Sequence, residues 1–279
     1  MQQGGLVVRV HHINCGSLRT VGSVGGGLGP AAAVCHCLVL ETERDGLVLV
    51  DGGLGVADVH SPRERLSGEW VDFAEPVLDV EQTALRQVAR LGFDVDDVRH
   101  IVLTHLHRDH TGALPDFPHA TVHVHQAEYE AVMDPGHEHH RVSLERFVAP
   151  HHAHGPRWSV ARPAGSWFGF DGAARLEGLS EEIVLVPLPG HTPGHSGVAV
   201  RVRDRWLLHA GDAYFYHGEL TEDPPRSHPE LQLVQDAVQV DKERRLESLQ
   251  RLRDLHGDEV DIFCAHDPWE FRRMAGAGR

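Results

Sequence analysis

The stretch Thr104–His110 has the sequence THLHRDH and constrains the fold more than any other part of the chain. It contains four side chains that can bind a metal ion, and it directly follows the apolar residues 101–103, which are typical of a buried strand. The cluster therefore begins where a strand ends, on a loop at the rim of a sheet. Imidazole and carboxylate ligands favour zinc or a similar divalent metal. The first two ligands alternate onto one side of an extended backbone and the last two turn elsewhere, which indicates two adjacent metal ions.

Other residues that can bind a metal also follow apolar runs of the sequence. The residues with this placement are Asp51, His191, Asp212 and His266. Together with the first cluster, they give five strand ends that carry His or Asp, more than chance would produce.

This pattern resembles the ligand pattern of the metallo-β-lactamase superfamily of hydrolases. The residues that carry the resemblance are Asp51, His105, His107, Asp109, His110, His191, Asp212 and His266. The resemblance extends from about Val34 to His266 and implies an α/β fold, an αββα sandwich of two mixed β-sheets flanked by helices. We expect a single domain over residues 1–279, with the metal site at one edge of the sandwich.

The resemblance also implies cofactors and ligand sets. We expect one metal at His105, His107 and His191, the other at Asp109, His110 and His266, and Asp212 as a bridge between them. The expected cofactors are two divalent ions, with zinc as the first choice and iron, manganese or cobalt as alternatives. They would generate a metal-bridging hydroxide that attacks a carbonyl carbon, and Asp109 would pass a proton to the leaving group.

Several neighbouring residues have roles of a different kind. Asp51 either orients a ligand histidine as a hydrogen-bond acceptor or belongs to an Asp-Gly-Gly turn. His195 is expected to make a structural hydrogen bond. The cysteines Cys15, Cys35, Cys37 and Cys264 are expected to be buried thiols in a reducing cytoplasm, with metal binding by Cys264 as the alternative.

Within the superfamily, His110 and Asp212 are similar to the dinuclear branch that contains glyoxalase II and the N-acyl homoserine lactonases. Those lactonases carry a catalytic tyrosine three residues after the bridging aspartate, whereas this chain has Phe215 there. Tyr214 and Tyr216 flank that position, and either phenol is a candidate for the catalytic role.

Residues 134–170 interrupt the alternation of apolar runs, and we expect them to form a cap insertion without clear strands. The segment contains His137, His139, His140, His151, His152 and His154, together with Trp158, Trp167 and Phe168. Long irregular segments inside domains are usually lids or binding loops. We interpret the histidines as parts of a solvated loop. The alternative is that they form a wall of the substrate pocket together with the aromatic residues.

The leading hypothesis for function is a metal-dependent hydrolase that opens lactones or related esters, acylated lactones among them. The alternative is a thioesterase of the glyoxalase II type. A third hypothesis is a mononuclear iron dioxygenase that acts on persulfides, which would hold one iron ion per chain instead of two metal ions.

Composition limits the partners of this chain. It has 26 Lys and Arg against 41 Asp and Glu, a net charge of −15, which would repel nucleic acid and anionic membranes. No apolar stretch is long enough to cross a bilayer, and the first five residues lack the features of a secretory signal. We therefore expect a cytoplasmic protein with a small-molecule substrate and without a nucleic-acid or membrane partner. The sequence does not decide the oligomeric state between monomer and homodimer.

Nine apolar runs predict strands, near residues 6–10, 34–40, 46–50, 99–103, 120–124, 183–187, 197–201, 205–209 and 260–264. Asp79 and Asp241 are expected to cap helices that end near Gly92 and Gly257. In the second of these helices, core packing is expected of Leu246, Leu249, Leu252 and Leu255.

Overall fold

The structure is a computed structural model that describes residues 6–23, 28–257 and 259–277. Its strands are β1 (Val7–Val21), β2 (Ala31–Thr42), β3 (Leu47–Val50), β4 (Val98–Val102), β5 (Thr121–His125), β6 (Arg157–Ala161), β7 (Gly165–Trp167), β8 (Phe170–Arg175), β9 (Ile183–Pro187), β10 (Ser196–Val202), β11 (Arg205–His209) and β12 (Val260–Phe263). Its α-helices are α1 (Val56–His60), α2 (Pro62–Arg65), α3 (Gly68–Ala74), α4 (Ala84–Arg90), α5 (Arg108–Thr111), α6 (Gln126–Met133), α7 (His140–Leu144), α8 (Ala149–His152), α9 (His217–Thr221), α10 (Pro229–Val238), α11 (Lys242–Leu255) and α12 (Pro268–Ala277).

The strands form two mixed sheets of six strands each. The first sheet has the order β1-β2-β3-β4-β5-β6, with β3 to β6 parallel to one another. The second has the order β12-β11-β10-β9-β8-β7 and is antiparallel except for the pair β11 and β12. Helices flank both sheets, which confirms the predicted αββα sandwich.

Three apolar layers hold the sandwich together. Alternate residues of β2 to β4 and β8 to β10 point between the sheets, where Leu38, Val50 and Leu185 pack in one buried cluster. The opposite face of the first sheet packs under α4 and α6, and that of the second packs under α11. Because central strands are covered on both faces, their sequences are continuous apolar runs, which is why they could be recognised in the sequence.

All nine predicted strands are present in the structure. The prediction of no clear strand in residues 134–170 is wrong, because β6 and β7 lie in this segment and β8 begins at its end. β6 and β7 are edge strands, and all three strands contain polar or charged residues, so they lack the continuous apolar runs of the central strands.

The two predicted caps are present, with one change at each helix. The Asp79 side chain accepts from the backbone N–H of Glu81, but it caps a 3-10 turn that precedes α4. Asp241 caps α11 by accepting from Arg244 N–H. Core packing was predicted for four leucines, and the prediction is wrong for Leu246. This side chain is 45% exposed, and Arg245 is the buried residue on that turn.

None of the helices in the described residues is both long enough and apolar enough to span a bilayer. Residues 1–5, on which the expectation about a secretory signal rests, lie outside the described part of the chain. All four cysteines are buried free thiols, as predicted.

Candidate metal centre and cavity

The strand ends that carry the predicted ligands meet at one edge of the sandwich. His105 and His107 follow β4, and the short helix α5 then carries Asp109 and His110. From the second sheet, the ligand-bearing loops follow β9, β11 and β12 and supply His191, Asp212 and His266. The structure thus brings together all seven residues predicted to bind metal. Three groups of them have donor atoms within 4.8 Å of one another: His105, His107, His191; His105, His110, Asp212; and Asp109, His110, His266.

The carboxylate of Asp212 lies between the two predicted ligand sets. Its Oδ2 is 3.1 Å from His191 Nε2 and 3.8 Å from His105 Nε2. Its Oδ1 is 3.2 Å from His266 Nε2 and 3.4 Å from His110 Nε2. Each oxygen therefore faces a different set of imidazoles, the arrangement that a carboxylate bridging two cations requires.

The unsatisfied atoms of this cluster fit divalent metal ions. Among the described residues, His105 Nε2, His110 Nε2 and Asp212 Oδ1 are buried without a hydrogen-bond partner. Burial lowers the pKa of His105 and His107 well below the usual range, and it lowers that of His191 to about 3. These rings are therefore neutral at physiological pH, the form in which imidazole binds a metal.

The other ligand set experiences a more negative field. Burial lowers the pKa of His110, but Asp212 and Asp51 outweigh it and raise the pKa well above its usual value. Burial also lowers the pKa of His266, but the neighbouring Asp212 outweighs burial, so the pKa of His266 is raised overall. A location that stabilises a charged imidazolium is one that also attracts a metal cation.

Outer hydrogen bonds orient the ligand rings, so that a particular nitrogen of each faces the centre. Asp51 Oδ2 accepts from His110 Nδ1 at 2.8 Å, and Thr104 Oγ1 lies 3.0 Å from His105 Nδ1 and donates to the same Asp51 oxygen. His266 Nδ1 donates to the carbonyl of Val34 at 2.8 Å. The geometry favours the orienting interpretation of Asp51, although the residue also lies in a turn with a φ of 55°.

His195 makes structural hydrogen bonds. Its Nδ1 donates to the carbonyl of Leu188, and its Nε2 accepts from the backbone N–H of Asp212 at 2.9 Å. Burial lowers the pKa of this imidazole to about 4, so a neutral ring holds the Asp212 loop against the His191 loop.

The sequence analysis did not identify Glu128 of α6, which joins the two ligand loops. Its Oε1 accepts from Leu106 N–H at 2.9 Å, and its Oε2 accepts from the Thr192 hydroxyl at 2.7 Å. The side chain is buried. A glutamate on a helix after a strand carries no sequence signal for such a role, because its partners are distant along the chain.

A second buried network connects residues 134–170 to the metal loop. His151 Nε2 donates to Asp58 Oδ1 at 3.0 Å, and His151 Nδ1 lies 2.9 Å from the Thr111 hydroxyl, which donates to the carbonyl of His107. His151 is completely buried, so interpreting it as part of a solvated loop is wrong. His152 stacks between Phe147 and Trp158, also away from the ligands.

A cavity of about 750 Å³ opens above the metal ligands. His107, Asp109, His191, Asp212 and His266 lie at its base. Its walls are mainly apolar and come from β1, α3, α10 and the loop after Asp212; the larger apolar side chains there are Leu18, Val21, Trp70, Phe73, Phe215, Leu231, Leu233, Val234 and Val238.

The structure does not bring the aromatic residues of the predicted cap to this cavity. Trp158 stacks on His152, and Trp167 packs edge-on against Trp206 at 5.5 Å. Phe168 is 45% exposed to solvent. Because β6 and β7 extend the two sheets, Trp158 and Trp167 pack beside these strands rather than over the ligands.

Nor does the structure bring the two predicted tyrosines to the cavity. The Tyr214 hydroxyl donates to Glu270 at 3.2 Å, and Tyr216 packs against Trp269 with its hydroxyl near Arg226. Phe215 is the ring that faces the ligands, 5.0 Å from His266 and 6.0 Å from His191 between ring centroids. The catalytic role predicted for either phenol therefore finds no support in this geometry.

Comparison with known families gives a match that spans all seven residues predicted to bind metal. A family model for the metallo-β-lactamase superfamily matches residues 31–266. The chain belongs to the metallo-β-lactamase superfamily. It is therefore a hydrolase of this superfamily, whose fold implies divalent metal ions.

The alternative that Cys264 binds metal finds no support, because Cys264 is in none of the donor groups found among the described residues.

Relatives within the superfamily include lactonases. A probable metallo-hydrolase of Mycobacterium tuberculosis is 38% identical, covering 94% of this chain and 81% of that protein. The N-acyl homoserine lactonase AttM of Agrobacterium fabrum is 29% identical, and the match covers 96% of this chain and 92% of AttM. A structure of an AiiA mutant from Bacillus thuringiensis, with N-decanoyl-L-homoserine bound at its active site, has a TM-score of 0.66 at 24% identity and covers 96% of both chains. At that identity, the structural likeness shows the shared fold.

Proposed function

We propose that this protein is a dinuclear metal-dependent hydrolase that opens lactones or related esters with an apolar acyl group. The observation that carries the proposal is the position of Asp212, whose two carboxylate oxygens face different imidazole groups at 3.1 and 3.2 Å. His105, His107 and His191 would hold one ion, and Asp109, His110 and His266 the other. A shared carboxylate between two such sets is the arrangement expected for two metals acting on one substrate.

Divalent ions held there would polarise an ester carbonyl and lower the pKa of an attacking water. The residues of the chain supply the rest of the chemistry. Asp109 lines the cavity and its side chain is 17% exposed, so its carboxylate can reach both a ligand set and a bound substrate. It is the group best placed to carry a proton to the leaving oxygen. Phe215 covers the ligands with an apolar ring, which excludes bulk water from that side.

The cavity supports an acyl substrate. Its walls offer apolar side chains from two helices, and its volume of about 750 Å³ is in the range of small-molecule sites. The lactonases among the relatives act on acylated lactones, which combine a polar ring with an alkyl chain, and this cavity provides a surface for each part. A thioester has the same electrophilic carbonyl and is the alternative substrate class.

A substrate panel tests the proposal. Protein reconstituted with zinc is assayed against acylated γ-lactones, the corresponding open-chain esters and thioesters, and a β-lactam. We expect lactone ring opening with a KM that falls as the acyl chain lengthens, by at most about fourfold per methylene, since a buried methylene contributes about 0.8 kcal/mol. If the protein hydrolyses thioesters but no lactone, the proposed substrate class changes from lactones to thioesters. Hydrolysis of neither class, with both metals bound, would overturn the proposal.

A further inference from the structure

Two arginines line the cavity beside the metal ligands. Arg108 lies between His107 and Asp109 in the chain, and Arg146 follows α7 in the segment predicted as a cap. The other walls of the cavity are mainly apolar. Cations in such a place are costly unless something compensates their charge, so what surrounds the two guanidinium groups matters.

Backbone carbonyls hold both guanidinium groups in place. Arg108 Nη1 donates to the carbonyl of Leu66 at 2.6 Å, and its Nη2 donates to the carbonyl of Glu145 at 2.9 Å. Arg146 Nη2 donates to the carbonyl of Ala237 at 3.0 Å. Carbonyl groups are neutral acceptors, so they fix the positions of the two cations without neutralising them.

The nearby carboxylates compensate the two charges only in part. Glu145 is 3.7 Å from Arg146 Nη1, and its side chain is 60% exposed, so water screens this pair. Arg19, which also lines the cavity, differs from both: its guanidinium makes a direct ion pair with Glu75 at 2.9 Å.

The two arginines are neighbours on one side of the cavity. Arg108 Nη2 donates to the carbonyl of Glu145, the residue directly before Arg146, and both arginines line the same cavity as the metal ligands. Two like charges placed this near to each other repel.

We propose that Arg108 and Arg146 form an anion subsite of this cavity and bind a carboxylate carried by the substrate, separate from the bond that is cleaved. The inference rests on the proposed function for the identity of that bond. Guanidinium groups present paired donors that match a carboxylate, and a carboxylate between the two would offset their repulsion. The substrate class is then an ester or lactone with an acidic group near the scissile carbonyl and an apolar group against α3 and α10.

Matched substrates test the subsite. A γ-lactone with a side-chain carboxylate and its primary amide analogue differ in charge but hardly in size. We expect wild-type kcat/KM for the acid to exceed that for the amide by tenfold or more. Arg146→Met should lower this acid-over-amide ratio by about tenfold, at the lower end of the usual loss for a hydrogen bond to a charged group, whereas Arg146→Lys should retain part of the ratio. Arg19→Met is the matched control and should leave the ratio unchanged.

A binding measurement separates failure of the subsite from failure of the proposed function. Titration calorimetry with hexanesulfonate and with uncharged hexanamide uses the same variants and needs no turnover. We expect hexanesulfonate to bind wild-type protein more tightly and to lose that advantage in Arg146→Met. If no lactone is opened but this loss is seen, the subsite stands and the proposed reaction fails. If lactones are opened with a ratio near one, and Arg146→Met leaves hexanesulfonate binding unchanged, the subsite is overturned.

Discussion

At the scale of single residues, one carboxylate organises the candidate metal centre. Asp212 has its two oxygens toward different imidazoles, and its backbone N–H is held by His195. Neighbouring residues then fix which nitrogen each ring presents, as Asp51 does for His110 and the Val34 carbonyl does for His266. The chemistry of the centre therefore also depends on residues outside the ligand set.

Asp109 is the residue whose chemical role is most open to test. Asp109→Asn keeps the size of the side chain and removes its charge and its basicity. We expect kcat to fall by a factor on the order of 10², the usual contribution of positioned acid–base catalysis. Steady-state kinetics on protein whose metal content has been measured checks this. Near wild-type kcat with both metals present would contradict the assigned role.

Asp51 should act through His110 rather than on substrate. Asp51→Asn removes the charged acceptor 2.8 Å from His110 Nδ1, so we expect metal affinity to fall by roughly 10- to 100-fold in a chelator competition titration. Asp116→Asn is the matched control, because Asp116 is also largely buried but accepts from Val56 N–H instead. Equal metal affinities in the two variants would exclude the orienting role of Asp51.

At the scale of elements, residues 134–170 extend the two sheets through β6 and β7 and reach the metal loop through a buried pair, while their aromatic residues do not cover the site. His151, in α8, joins Asp58 of α1 to Thr111 of α5, directly behind the metal loop. The segment thereby supports α5, which carries Asp109 and His110.

His151→Ala should therefore destabilise the protein. The change leaves the buried Asp58 carboxylate with fewer partners, and we expect the free energy of unfolding to fall by about 3 kcal/mol in urea denaturation. His154→Ala, in the same segment but exposed, should change it by less than about 0.5 kcal/mol. A His151→Ala variant as stable as the control would mean that the buried pair contributes nothing.

The comparison of sequence with structure also belongs to this scale. The ligand-bearing loops were predictable because buried strands are apolar runs and metal-binding residues are conspicuous directly after them. The cavity walls were not, because α3 and α10 are far apart in sequence and carry no chemical signature. The phenols of Tyr214 and Tyr216 could not be assigned either, since only the direction of the backbone after Asp212 determines that Phe215 faces the ligands.

At the scale of the whole molecule, the buried carboxyl group of Glu270 should affect stability against pH. Burial, and then Asp267, raises its pKa from the usual 4.5 to about 7; Tyr214, Cys264 and Arg273 also contact the group. A carboxyl group with a raised pKa binds more protons in the folded state, so its contribution is complete below pH 4.5 and is lost as the pH rises through 7.

We therefore expect Glu270→Gln to lose less stability than wild type between pH 5 and pH 8, by up to about 3 kcal/mol, because its side chain does not ionise. Urea denaturation at both pH values gives the comparison. The exposed Glu247→Gln on α11 should behave like wild type. The same loss of stability in all three proteins would show that Glu270 does not titrate in this range.

The central claim is that two metal ions act together on one ester or lactone. The most direct measurement titrates metal-free protein with zinc and records bound metal per chain and lactone ring opening in the same samples. The account predicts that binding saturates at two ions per chain and that hydrolysis reaches its maximum only with the second. Binding that never exceeds one ion per chain, or two bound ions without hydrolysis of any lactone, ester or thioester, would contradict it.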